Sequence, residues 1–246
     1  MRIEVEPADA ATIESLRARF RSESHCQIVH DSILPRRLAD AFLLTVDSRV
    51  AGYGGVWNEY FPNRIVEFYA VEKQREAALF SALVSASGAT EIEAQTNMPQ
   101  MRRLLEAYGM EAEVEKLLFA EGSDSSLVYP GAALRRRRPG EDGPDGEWVV
   151  ELEGEVVAGG GILTHYNPPY GDLYVEVRAA SRGRGLGSFL VQELRRVCRE
   201  MGLIAAARCD PENVASRRAL LRGGMVQCGE LRTAQLRMPI PTGQGV

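Results

Sequence analysis

The run Val177-Arg178-Ala179-Ala180-Ser181-Arg182-Gly183-Arg184-Gly185-Leu186-Gly187-Ser188 joins two segments of different period. Before it, Leu173–Val177 alternates in the manner of a strand. After it, Leu190, Leu194, Val197 and Met201 fall on one helical face, which predicts a helix from about Gly185 to Met201 with Gly202 as its stop. Gly183, Gly185 and Gly187, at alternate positions, let the backbone approach a ligand closely and take angles that other residues resist. Successive N–H groups at a helix start form an anion site, strengthened by the helix dipole. Arg182 and Arg184 add charge-assisted contacts to phosphate oxygens. The loop from Arg182 to Ser188 therefore suits a diphosphate-bearing cofactor.

Other glycine loops fit less well. A P-loop needs GxxxxGK[ST], and the only lysines in the chain are Lys73 and Lys116. A dinucleotide fingerprint needs GxGxxG, and counting from Gly183 puts Ser188 at the third glycine. A GxSxG nucleophile elbow is absent. The pattern [RQ]xxGx[GA] is met by Arg182-Gly183-Arg184-Gly185-Leu186-Gly187, and here the sequence resembles the GNAT superfamily of N-acetyltransferases. Of the V-x-P-x-x-R run that often precedes this motif, Val177 and Arg182 are present, while Ala179 replaces the proline. A second mark, Asn followed eleven residues later by Gly and an apolar residue, is met by Asn213, Gly224 and Met225. The resemblance covers residues 145–238. It implies that the loop amides hold the pyrophosphate of acetyl-CoA, a co-substrate, with Arg182, Gly183, Arg184, Gly185, Gly187 and Ser188 around it. It further implies that Val175 and Val177 pair with the pantetheine arm like an added strand and that Asn213 contacts the cofactor. Asn213 is also a good helix N-cap on its own account.

Working outward, the same layout occurs twice. Arg49–Val71 (RVAGYGGVWNEYFPNRIVEFYAV) and Glu155–Val177 (EVVAGGGILTHYNPPYGDLYVEV) share a Val-Ala-Gly strand start, a glycine-rich continuation, an aromatic and proline turn, and a closing strand. Arg102–Met110 (RRLLEAYGM) matches Arg217–Met225 (RRALLRGGM) without a gap. Two matches in the same order imply a duplication. The expected fold class is α+β: two tandem acyl-CoA N-acyltransferase folds, each a mixed, mostly antiparallel sheet flanked by helices. The expected division is 1–125, a degenerate copy, and 126–246, a cofactor-binding one. In the first copy the pattern predicts strand Ile3–Glu6, helix Ala8–Phe20, a short helical stretch after Pro35, and strands Ala41–Val46, Val50–Trp57 and Ile65–Val71. Helix Arg75–Ala86, strand Glu91–Ala94, helix Pro99–Tyr108 and a closing strand Glu115–Ala120 follow. In the second it predicts strands Trp148–Leu152, Val156–Thr164 and Leu173–Val177, the long helix, strand Leu203–Ala207, helix Asn213–Leu221 and two short terminal strands. After Val71 the chain runs EKQREAALFSALV, with bulky side chains where the loop glycines should be. The second copy has no room for the helices that follow the first strand, since only RRRRPGEDGPDGE lies between Leu134 and Trp148. Those arginines read as a solvated strand end or linker.

The 246 residues are 45% hydrophobic and 26% charged, an ordinary globular composition. The net charge of −5 gives no reason to expect nucleic acid as a partner. Residues 1–121 carry 13 Lys and Arg against 19 Asp and Glu, whereas the remainder carries 16 against 15, making the second half the better host for an anion. Cys26, Cys198, Cys209 and Cys228 form no CxxC pair and lie near no histidine cluster, so neither a metal site nor a disulfide scaffold is expected. No stretch approaches the roughly 18 apolar residues of a membrane span, and the start resembles no signal peptide. The expectation is a cytoplasmic protein with no membrane partner and a small-molecule or peptide amine as acceptor.

The resemblance implies direct attack of a primary amine on the acetyl thioester. Family members often carry a proton-donating tyrosine seven residues after the asparagine, and here that residue is Leu220. Cys209, Tyr166 and Tyr170 are the candidate substitutes. For deprotonating the amine, Asp172 lies near where the family often has glutamate, although Gly171 occupies the closest position. Glu176 is an alternative if a bulge shifts the facing of the strand by one residue, and His165 is a further candidate base. The missing tyrosine keeps two alternatives open: a non-catalytic acyl-CoA-binding or sensing module, and an acyltransferase for another acyl group or acceptor.

Overall fold

The computed structural model describes residues 1–23, 31–165 and 167–237. Along the chain run β1 (Ile3–Ala8), α1 (Ala10–Ser22), β2 (Ala39–Val46), β3 (Arg49–Trp57), β4 (Arg64–Ala70), α2 (Glu76–Ser87), β5 (Glu91–Gln95), α3 (Pro99–Tyr108) and β6 (Gly109–Glu121). Then come β7 (Ala132–Arg136), β8 (Trp148–Leu152), β9 (Glu155–Leu163), β10 (Tyr170–Val177), α4 (Leu186–Glu200), β11 (Ile204–Cys209), α5 (Val214–Arg222) and β12 (Met225–Leu236). The elements are α+β, and contacts divide them into two compact units. Unit 1 takes residues 1–115 and those from Glu230 onward, and unit 2 takes Lys116–Gly229.

Unit 1 orders its strands β1-β2-β3-β4-β5-β12. Only β4 and β5 run parallel; the other neighbours are antiparallel. Asp9 caps α1 by accepting the Thr12 N–H at 2.8 Å, and Ile13, Leu16 and Phe20 bury its apolar stripe. Leu79, Phe80, Leu83 and Val84 of α2 cover the other face of the sheet, where Phe80 meets Phe68 of β4 edge to face at 5.3 Å. Unit 2 orders its strands β6-β11-β10-β9-β8-β7, and only β10 and β11 are parallel. Leu186, Leu190, Val191, Leu194, Val197 and Cys198 form the buried stripe of α4.

Several expectations are corrected. The division at 125/126 differs from the observed units because each sheet is completed by a strand from the other half of the chain. Leu117–Ala120 of β6 pair with β11, and Leu231–Gln235 of β12 pair with β5. The two short terminal strands are one continuous strand of 12 residues, and Glu115–Ala120 is the end of a strand of 13. Around Pro35 there is a turn, closed by the Arg36 N–H on the Ser32 carbonyl at 2.9 Å, rather than a helix. Met201 caps α4 and is 53% exposed instead of completing its stripe. Among the described residues, no helix is long and apolar enough to cross a membrane.

Candidate functional site

The strand that leads into the glycine loop has one paired edge and one edge that parts from its neighbour. β10 pairs with β11 only over Tyr170–Asp172, opposite Ile204–Ala206, while it stays paired with β9 from Asp172 to Val177. Hydrogen-bond phase then fixes where its backbone groups point. The Arg178 N–H donates to the Val157 carbonyl at 2.9 Å, and Val177 stands opposite Ala158. Val177 and, two residues earlier, Val175 are therefore non-hydrogen-bonded positions relative to β9. Their N–H and C=O groups are directed away from β9, along the side that opens beyond Asp172. Arg182 Nε already donates to the Val177 carbonyl at 3.1 Å, which folds the loop back toward the strand.

At the end of this edge the chain turns into α4. Gly183 has φ of 77° and Gly185 has φ of 90°, both in the left-handed region that costs other residues energy. A Cβ at either position would meet nothing within 4 Å, so backbone angle and not crowding selects glycine there. At Gly187 a Cβ would find ordinary contacts, 3.5 Å from Ala219 and Val177, so the fold itself does not require that glycine. The first helical bond of α4 runs from the Phe189 N–H to the Gly185 carbonyl at 3.1 Å, leaving the Leu186, Gly187 and Ser188 N–H groups without helical acceptors. No side chain caps this end and its first turn holds no acidic residue. Arg182 and Arg184 are exposed beside it, and Ser188 is buried. These groups converge on a place suited to an anion.

The two faces of β10 differ. An added Cβ on Gly171 would sit 2.8 Å from the Cys198 sulfur, so odd-numbered residues face α4. Asp172, Tyr174 and Glu176 share the other face. Asp172 is 4% exposed with its carboxylate 3.4 Å from Arg208 Nε, whereas Glu176 is exposed. The ring of Tyr174 lies across Gly161, where a Cβ would come within 2.7 Å of the phenol oxygen. Sequence reasoning missed Tyr174; its even spacing from Asp172 and Glu176, opposite a glycine, was the available signal. Cys209 lies on the arm formed by β11, on the α5 side, with its thiol hydrogen-bonded to Ser216. Burial pushes that thiol above its ordinary pKa, and Asp210 adds to the rise. The structure thus brings Asp172 and Glu176 to one face and sets Cys209 on the other.

Asn213 caps α5, its Oδ1 accepting the Ser216 N–H at 2.9 Å. Its Nδ2 donors take no part in the cap. Leu220, where a proton donor was sought, is 3% exposed and packed in the core. Tyr170 begins β10, His165 is exposed after β9, and Tyr166 lies outside the described residues. The arginine run is folded onto its own hairpin. Arg135 binds Glu141 and Glu151, Arg136 pairs with Glu147 over the Trp148 ring, and Arg137 donates to the carbonyls of Glu141, Pro144 and Gly146.

Comparison with known proteins agrees with this geometry. Residues 104–225 match the model of the acetyltransferase (GNAT) family. Among curated proteins there is no significant sequence relative. Among solved structures, a GNAT-family acetyltransferase from Colwellia psychrerythraea superposes with a TM-score of 0.73 at 14% identity, covering 96% of this chain and 100% of that one. A GCN5-related N-acetyltransferase from Sphaerobacter thermophilus gives 0.58 at 16% identity, covering 95% of each chain. A tandem GNAT protein from the clavulanic acid biosynthesis pathway gives 0.56 at 12%, covering 95% of this chain and 98% of that one. At such identities these structures speak to the fold, and the fold is that of two GNAT-like units in tandem. Residues 104–225 form a domain of the acetyltransferase (GNAT) family.

Proposed function

We propose that unit 2 transfers an acetyl group from acetyl-CoA to a primary amine of a small-molecule or peptide acceptor by direct attack. The observation that carries this reading is the open edge of β10 running straight into an uncapped helix start with two left-handed glycines. Val175 and Val177 pair with the pantetheine, as a further strand would. The amides after Gly185 bind the pyrophosphate, Arg182 and Arg184 add charge, and Asn213 contacts the cofactor through its spare donors. The amine nitrogen attacks the thioester carbon, and an N–H of the same edge stabilises the oxyanion that forms. The C–S bond then breaks and the thiolate takes a proton. Deprotonating the amine falls to Asp172, where the strands part, or to Glu176 on the same face. Cys209, kept protonated at neutral pH by burial, is the candidate donor to the thiolate. The first copy is read as degenerate, giving one cofactor per chain, and the setting as cytoplasmic.

Calorimetry with acetyl-CoA, paired with a thiol-release assay against amines, amino acids, aminoglycosides and peptides, tests this. A stoichiometry near one with amine-dependent release supports the reading, and absence of binding ends it. Asp172→Asn and Glu176→Gln, compared in the same assay, separate the two carboxylates. Leu220, buried where a donor would stand, favours a second reading as a non-catalytic acyl-CoA-binding module. Tight binding without release for any acceptor selects that one.

A further inference from the structure

Unit 1 contains the counterpart of the open edge, and there the edge is closed. β4 pairs with β5 only at Arg64–Ile65, opposite Glu91–Ile92, and then parts from it as β10 does from β11. The Val71 N–H donates to the Ala51 carbonyl at 2.9 Å while Ala70 stands opposite Gly52. Ala70 is thus in the phase of Val177, with its N–H and C=O directed away from the neighbouring antiparallel strand. Gln100, at the start of α3, meets both groups. Its Oε1 accepts the Ala70 N–H at 3.2 Å, and its Nε2 donates to the Ala70 carbonyl at 3.4 Å. The same Nε2 donates to Glu76 Oε2 at 2.7 Å. Arg103 holds Glu76 from the other side, at 2.7 and 3.3 Å. Since an ionised carboxylate only accepts, Glu76 fixes which way the Gln100 amide faces.

Unit 2 has neither the amide nor the carboxylate of this arrangement, although Arg218 falls in the register of Arg103. The matching runs RRLLEAYGM and RRALLRGGM place α3 and α5 in register, with the helices starting at Pro99 and Val214. In that register Gln100 falls on Ala215, an exposed methyl group. Five residues, 71–75, join β4 to α2, but eight, 178–185, join β10 to α4. The shorter joint carries no glycine, and α2 opens with Glu76, whose charge opposes an anion at that helix start. A cavity of about 350 Å³ remains at this place, walled by Tyr69, Lys73, Gln100 and Arg103 among others.

We propose that Gln100 decides that unit 1 takes no cofactor: its carboxamide makes with Ala70 the strand-like hydrogen bonds that a pantetheine amide makes with the matching edge of unit 2. The proposal rests on reading unit 2 as the cofactor site. The ligand excluded is an acyl-CoA, and the remaining cavity is the part of the cleft behind the internal amide.

Moving the amide tests the idea in the full chain. Ala215→Gln should weaken acetyl-CoA binding about 10-fold by calorimetry, with Ala215→Met, of similar length but without the amide, weakening it by about threefold or less. Equal losses for the two, or no loss for Ala215→Gln, would overturn the proposal. Hydrogen exchange gives an arm that does not depend on unit 2. Gln100→Ala should speed exchange of the Ala70 amide about 10-fold, whereas an unchanged rate refutes the contact. In a Gly185→Glu background, acetyl-CoA should leave residues 68–76 unprotected; protection there would show that unit 1 accepts the cofactor despite Gln100. Protection of residues 175–188 in the unaltered chain reports separately on the reading of unit 2. If that protection fails while Ala70 responds to Gln100→Ala, the cofactor site is wrong and the internal closure stands.

Discussion

β4 and β10 occupy the same place in their sheets, yet one is a wall and the other a candidate site. Six of the seven residues of β4 are buried, while Tyr174 and Glu176 of β10 are exposed. The covering element in unit 1 is α1, which sends Arg17 into the sheet. Arg17 is 1% exposed and grips Glu67 through Nε and Nη2 at 3.0 and 2.9 Å. The Tyr53 hydroxyl donates to the same carboxylate at 2.8 Å, and Arg17 also reaches the Asp31 carbonyl at 2.7 Å. Burial, with the Glu67 charge beside it, holds Tyr53 well above its ordinary pKa, so that hydroxyl stays a donor. In unit 2 the chain from β7 to β8 is a hairpin loop, so no helix from that segment covers β10. The two edges differ in three things that β4 has and β10 does not: a covering helix, an acidic residue at the following helix start, and one side-chain amide on the strand.

The sharpest way to break the comparison is to damage the wall. Arg17→Ala leaves Glu67 buried without its partner and should cost about 3–5 kcal/mol. Urea unfolding should register the loss as a shifted transition in unit 1, while acetyl-CoA affinity measured below that transition stays unchanged. If affinity falls in step with stability, the wall and the candidate site cannot be treated as separate cases. Next comes Gly185→Glu, which puts a side chain at φ of 90° and a negative charge at the helix start. Its expected effect is at least about 100-fold on acetyl-CoA binding, near 3 kcal/mol, with the fold lowered in stability by only the roughly 1–2 kcal/mol of the left-handed backbone. Normal binding by this variant would place the cofactor elsewhere. The smallest effect is that of Arg184→Ala, about 1–3 kcal/mol of binding energy for a charged hydrogen bond. A larger loss would mean that side-chain charge, and not the backbone amides, dominates the loop.

Local pattern carried much of this. The glycine loop, the duplication, α4 and the N-cap of Asn213 could be read because each depends on residues close together in sequence. The pairing of β12 with β5 could not, since nothing near Leu231 encodes a partner at Gln95. The role of Gln100 was hidden for the same reason: Ala70 lies 30 residues away, and an isolated glutamine on a helix has no pattern. Glu176 is reached from the sequence only through a bulge, but the β9–β10 register runs unbroken from Asp172 to Val177, and strand parity puts Asp172 and Glu176 on one face with Tyr174 between them. Cys209, a candidate for the missing proton donor, lies across the sheet from those carboxylates because Asp172 stands beside Ala206, which puts odd-numbered residues of β11 on the opposite face.

The crossing of strands between the halves also sets an order of events during synthesis. Unit 1 needs Leu231–Gln235 to pair with β5, yet β5 emerges some 136 residues earlier. At about 5–20 residues per second, β5 waits on the order of ten seconds with one edge unpaired. Unit 2 already has all its pairing strands once Cys209 has been made, because β6 precedes the rest. The second unit is therefore placed to mature first on the ribosome, ahead of the N-terminal one. Residues 1–115 alone lack a strand that β5 needs, whereas Lys116–Gly229 holds the strands that pair with β8, β9, β10 and β11.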